Sequence, residues 1–361
     1  MNYTKLGNFE AICLIVVLFV NHMVLNLPQM ILDNSGTAAV LNCIYILALV
    51  LIFALIITKL FKNFLGLDII DISEYLGGKI LKILVGILCI SYLIIEAAFL
   101  TRMFSKNLLL VYFSNYPVSF IIFLLLFVAV VANLFGSKSI IKTNTIILPI
   151  ALFSILVTSI FVIDLFRIER PLPILGNGAD KIFLTGASNI FAFNGLFFLF
   201  FISPMLNQKE NSSKVAFIST LICGIFLILS IATLVYAFSD IYTISRISPI
   251  YFIIVNSRLS AFLERPEMIF IFIWTLALMS FISIAVMFCL NIFKKLTNMK
   301  ETKSLSAAVC AIIFVISLLI NNIFTLEKFA NAFYKYGSLI LIFGIFTLIL
   351  IGANIKKRRS S

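Results

Sequence analysis

The stretch Asn21-His22-Met23-Val24-Leu25-Asn26-Leu27-Pro28-Gln29 interrupts an apolar run that begins at Phe9. Two Asn, a His and a Pro break a helix where lipid cannot satisfy the freed amide and carbonyl groups. Such backbone is tolerated only where it faces protein, water or a ligand. A second interruption answers the first: Asn189 and then Asn194-Gly195 break a run that ends at Ser203-Pro204. Working outward from these two, apolar runs fall at 9–31, 37–60, 82–112, 117–136, 142–164, 183–206, 215–238, 267–293, 304–322 and 336–354. Each reaches roughly the 20 residues that a membrane span requires. The broken runs are the first and the sixth of ten. Breaks in matching positions of two five-span halves point to a small-solute site near the bilayer midplane.

Composition excludes the soluble alternatives. With 62% hydrophobic and 12% charged residues, the chain cannot be a soluble globular domain, and the spans leave no room for one. No cleavable leader is expected, because the first run lacks a small-residue cleavage site and has Lys5 as its only basic start. The net charge of +12 reads as a topology signal. With both termini cytoplasmic, the inner loops and the tail Lys356-Lys357-Arg358-Arg359 carry 17 of the 27 basic residues, and the outer loops carry 8. That is the bias of the positive-inside rule, and no nucleic-acid patch is needed to explain it. All six cysteines lie inside spans without a CxxC pair, so they read as small buried apolar residues with no metal or disulfide role.

The expected fold is all-α and integral to the membrane, with ten transmembrane helices in a five-plus-five inverted repeat. Repeat one covers about 9–164, repeat two about 183–354, and a basic cytoplasmic tail 355–361. The connections support the repeat. Asp68 to Gly78, between spans two and three, is a short amphipathic helix closed by glycines. Ser248-Pro249 to Arg265, between spans seven and eight, is another, with Ser as N-cap and an apolar face from Tyr251, Ile254, Val255, Leu259 and Phe262. One lies inside and the other outside, as inversion demands.

Few polar groups lie inside spans, so each is informative. In the first break, His22, Met23, Val24 and Leu25 are candidate ligand contacts; a lone His at a helix break also serves as a hydrogen-bonding spacer. Glu96 sits near the middle of the third span, with Tyr92 and Leu100 one turn to either side. It is either a site carboxylate, for an amino group or a proton, or a structural group bonded to a neighbouring helix. Arg102 and Lys106, four apart, either line an outer vestibule or pair with acids of the outer loops. In the sixth span Ala192, Phe193, Asn194 and Gly195 combine a flexible point with small and polar groups. Half-helix N-termini favour a carboxylate there and exposed carbonyls an ammonium, a combination that suits a zwitterionic amino acid. The eighth span offers Thr275, Met279 and Ser280, although Ser and Thr in spans often satisfy their own helix.

At Pro171-Leu172-Pro173-Ile174-Leu175-Gly176-Asn177-Gly178 the chain resembles the B subunits of spore nutrient-germination receptors (GerAB-like proteins). Ala97 to Ser105 and the run from Ser248 through Glu264-Arg265-Pro266-Glu267 to Trp274 fit the same resemblance, which spans nearly the whole chain. It implies the LeuT-like fold of the amino acid/polyamine/organocation transporters in a spore inner membrane. It also implies a nutrient-sensing role beside a larger membrane subunit and a lipoprotein. The chain departs from many relatives at Leu196, where they carry an acid, and at Glu96, where they are commonly apolar.

The function expected is recognition of a small nutrient, an amino acid, and signalling to the partner subunits. The alternative is a proton-coupled secondary amino acid transporter on the same fold. An enzyme lacks support, since no nucleophile–base or metal constellation exists, and no cofactor is expected.

Overall fold

The computed structural model describes residues 4–25, 27–111, 115–238, 266–299, 301–319 and 322–360. Among them the regular elements are helical, and a single parallel bridge joins Leu6 to Leu206. Eight helical stretches are long and apolar enough to cross a membrane, accompanied by the shorter apolar helices Asn8–Val24 and Lys303–Leu318. This is the architecture of an all-helical integral membrane protein. Large apolar side chains such as Phe153, Phe272 and Ile340 face outward, 60% or more exposed. A lipid environment stabilises that surface as water would not.

Helix α1 (Asn8–Val24) is the centre of the bundle. Every residue from Ala11 to Val24 is buried, and a helix apolar on all sides has no other place to go. It packs against α6 (Ser137–Ile160), α9 (Ser212–Ala237), α10 (Pro266–Thr297) and a 3₁₀ helix at Thr185–Phe198. The expected first break is present. Leu25 leaves the helical region at φ −89°, ψ −101°, and α2 (Leu27–Ser35) restarts with Pro28 in its first turn, where a missing N–H is harmless. The expected break in the sixth run takes a different form. Instead of two half-helices the chain winds through 14 residues of 3₁₀ helix, with Phe193 out of helical geometry at φ −95°, ψ 31°, before the single turn of α8 (Leu199–Ile202). Runs of 3₁₀ beyond three or four residues are uncommon and mark hinges or strain.

The short helix after the second span is also present. Helix α4 (Ile69–Val111) contains it as residues 69–76, and Gly77 and Gly78 leave helical geometry before the span proper begins at Lys79. Gly78 takes φ 69°, a conformation that glycine adopts at no steric penalty. The matching helix expected at 248–265 lies outside the described residues. The last run is longer than the expected 336–354. It extends from α12 (Ile323–Ala332) through π-helical turns at Phe333–Gly337 and Leu339–Phe346 into α13 (Thr347–Ser360).

Both ends of the bundle are clasped. At the end rich in basic residues, Leu6 N–H donates to Met205 O and Asn207 N–H to Leu6 O, at 2.8 and 3.0 Å. Beside this bridge Lys295 of α10 bonds Asp68 and Asp71, each at 2.6 Å. Burial pushes the Asp68 carboxyl up to about 6, with Lys295 drawing it down and Asp71 pushing it further up. At the opposite end the loop 171–178 folds over the junction of α2 and α3 (Ala39–Phe61). Thr37 Oγ1 donates to Pro173 O at 2.9 Å, and Gly176 lies so close to Ser35 O and Ala38 that a side chain there would collide with backbone. That contact explains the glycine in this loop.

Candidate functional site

The two interrupted segments meet at Glu96. The sequence places an acid in the middle of the third span, and the winding of α4 turns it fully inward, at 0% exposure. Glu96 Oε1 lies 2.6 Å from His22 Nε2, at the end of α1, and accepts a bond from Asn194 Nδ2, in the 3₁₀ segment, at 3.0 Å. One carboxylate oxygen therefore ties both interrupted segments to α4. The short His–Glu contact shares one proton: a carboxylate accepts from Nε2–H, or a carboxylic acid donates to the ring. Glu96 Oε2 and Asn194 Oδ1 are buried acceptors without a partner among the described residues. Leaving a buried polar group unpaired costs about 1–3 kcal/mol, so such atoms require an explanation.

A cavity of ≈ 10 Å³ lies against this cluster, lined by His22, Leu27, Met30, Phe191, Ala192, Asn194 and Tyr334. It is about the size of one water. Anything larger enters only when side chains of the lining, Phe191 and Tyr334 among them, move aside. The Tyr334 ring meets His22 edge-on at 4.2 Å between centroids, and its hydroxyl points to Met103 Sδ at 3.7 Å.

The structure gathers some of the predicted site residues here and sends others elsewhere. His22, Ala192 and Asn194 line the cavity, and Glu96 stands behind them. Tyr92 reaches the cluster from an adjoining aromatic wall: its hydroxyl lies within bonding reach of the Asn194 side chain and bonds Ser338 Oγ at 3.1 Å, while its ring stacks on Phe197 and Phe333. Met23 Sδ accepts from Ser230 Oγ at 3.5 Å, Phe193 stacks on Phe19, and Val24, Leu25 and Leu100 are buried in the surrounding core. Gly195 faces α1, where an added Cβ would run into Ile15 O. It serves close helix approach, and the space beside it is protein backbone. Thr275 and Met279 lie apart, lining an apolar cavity of ≈ 390 Å³ with Leu108, Phe120 and Ile271. Ser280 Oγ donates to Asn144 Oδ1 at 3.0 Å, a contact between α10 and α6. Lys106 pairs with Glu327 at 3.2 Å, one of the two readings of that residue.

Sequence reasoning missed Tyr334, Leu27, Met30 and Phe191. Tyr334 sits two residues before the expected start of the tenth span, and the π turns carry it inside. Leu27 and Met30 lie on the first turn after a break whose polar residues drew attention away from its apolar ones. Among the described residues no group of three or more His, Cys, Asp or Glu could hold a metal.

Comparison with known proteins gives a consistent result. The model of a family described as spore germination protein matches residues 5–325. A curated relative, Spore germination protein B2 of Bacillus subtilis (strain 168), is 22% identical over 275 residues, covering 75% of this chain and 74% of the relative.

Proposed function

The chain belongs to the spore germination protein family, and from that premise we propose that it is the nutrient-sensing subunit of a spore germination receptor. On this reading it lies in the spore inner membrane with both termini cytoplasmic and ten spans arranged as a LeuT-like five-plus-five repeat. A small nutrient, an amino acid, binds between the interrupted segments near the midplane. Binding shifts the balance between open and closed arrangements of the core, and partner subunits, a larger membrane protein and a lipoprotein, receive the shift. The observation that carries this reading is the buried Glu96, which holds His22 and Asn194 of the two interrupted segments at one point. A ligand that engages this cluster acts on three elements at once.

Filling the cavity tests the proposal. Ala192 is 1% exposed and lines it, so Ala192→Val takes the space a ligand needs. Spores whose sole copy of this chain carries Ala192→Val should lose their germination response to a panel of amino acids while retaining the protein in the membrane. An unaltered dose–response curve would place the ligand elsewhere.

One observation favours a second reading. His22 and Glu96, two groups able to carry a proton, lie 2.6 Å apart within the helical bundle, a pairing that a proton-coupled transporter could use. Accumulation of labelled amino acid in proteoliposomes, driven by a pH gradient, separates transport from sensing, which fold alone cannot do.

A further inference from the structure

The chemistry of the unpaired atoms at Glu96 narrows the ligand class, given the receptor reading above. Glu96 Oε1 is already engaged twice, in the contact with His22 and in accepting from Asn194. What remains at the cluster is two acceptors, Glu96 Oε2 and Asn194 Oδ1, each without a partner among the described residues and each in a side chain at most 2% exposed. Orphaned acceptors call for a donor. Among the described residues neither Lys nor Arg lines the cavity or bonds to the cluster, so a ligand carboxylate meets no cation from them and faces Glu96 directly. Like charges in so dry a site repel strongly. A primary ammonium has three N–H donors, no acceptor, and a charge opposite to the carboxylate.

We propose that the site recognises its ligand through a primary ammonium group, received by Glu96 Oε2 and Asn194 Oδ1, and makes no demand for a carboxylate. The amine then completes the cluster: it pairs both orphaned acceptors and joins α4 to the 3₁₀ segment by a charge-assisted contact. His22 keeps the other carboxylate oxygen in place, which fixes the direction from which the amine is received. The side chain of the ligand lies toward Leu27, Met30 and Phe191, whose apolar surface favours an aliphatic group.

Matched probes on purified protein test the assignment. Alanine, valine and leucine are each compared with the amine that lacks the carboxylate and the acid that lacks the amino group. Binding is read at pH 7 by the shift in thermal unfolding of the protein in lipid nanodiscs. Amines and amino acids are expected to bind within tenfold of each other, with the acids at least tenfold weaker. Glu96→Gln, which keeps shape and hydrogen bonding but not charge, should weaken amine binding at least tenfold. The wild-type series stands alone if that variant fails to fold. Acids binding as well as amines, or Glu96→Gln binding amines like the wild type, overturns the ammonium assignment and leaves the receptor reading intact. If none of the nine probes binds, the receptor reading fails and the assignment fails with it.

Discussion

The His22 imidazole and the Glu96 carboxyl meet at 2.6 Å although 74 residues separate them in sequence, and both are withdrawn from solvent. The contact pins the end of α1 to the middle of α4 at the level where α1 gives out. Removing one member of such a pair strands the other, and breaking a buried pair typically costs about 3–5 kcal/mol. His22→Ala should therefore lower the thermal midpoint in detergent more than Glu96→Gln, which leaves a neutral group able to bond both His22 and Asn194. A double-mutant cycle over the two positions should give a coupling of about 1.5–3 kcal/mol, the range for hydrogen bonds to charged groups. Additive effects would mean that the two residues act independently.

Gly195 and Gly337 make opposite predictions. An added Cβ at Gly195 would overlap the Ile15 carbonyl, whereas at Gly337 the nearest atoms, on Phe333 and Tyr92, lie at 3.6 Å. Gly195→Ala should force α1 and the 3₁₀ segment apart and deplete folded protein from the membrane, and Gly337→Ala should be tolerated. Quantitative immunoblotting of membranes checks both, and equal amounts of the two variants would contradict this packing.

The Asp68–Lys295–Asp71 cluster sets a pH dependence with a defined sign. Burial raises the folded-state Asp68 carboxyl to about 6 from 3.8, so the folded state binds more protons than the unfolded state between those values. Stability from this group is fully present at and below the lower value and is lost as pH rises toward about 6, levelling off above it. Asp68→Asn preserves a helix-capping side chain while removing the titration. Thermal midpoints of the variant, measured from pH 4 to pH 7.5, should fall less steeply with rising pH than those of the wild type. A parallel fall in both would remove Asp68 as the cause.

Topology is accessible because the six native cysteines are buried. Ile174, 69% exposed in the loop 171–178, is a better labelling position than Gly178, whose φ of 115° resists a side chain. Ile174→Cys should react with an impermeant maleimide from outside intact cells. Reaction from the cytoplasmic side alone would invert the proposed orientation.

The parts of this fold that were legible in the sequence are those set by the solvent. Lipid demands long apolar helices and punishes unpaired backbone, so the helical class and the break at Asn21–Pro28 could be read directly, as could the glycine kink at Gly77-Gly78. The form of the second interruption could not. Nothing in Asn194-Gly195 distinguishes two half-helices from 14 residues of 3₁₀ helix, and the close approach of Gly195 to Ile15 of α1 is a long-range contact that the local sequence does not announce. The site was half legible for the same reason. Polar residues inside spans announce themselves, which brought out His22, Glu96 and Asn194. Tyr334 and Phe191 differ in no visible way from the other aromatic residues of this Phe-rich chain. Thr275 and Met279 show the converse, since a suitable residue type on a central helix still depends on which face that helix presents.

On the proposed reading both interrupted segments and the nutrient converge on Glu96, and one measurement tests that convergence most directly. Germination dose–response curves are taken for spores whose sole copy of this chain is wild type or Glu96→Gln, with protein amounts matched by immunoblot. Loss of an interaction of about 1.4 kcal/mol moves the half-maximal concentration tenfold. The account predicts a shift of at least that size toward higher amino acid concentration. Superimposable curves across the pH range tested would contradict it and leave Glu96 a structural residue.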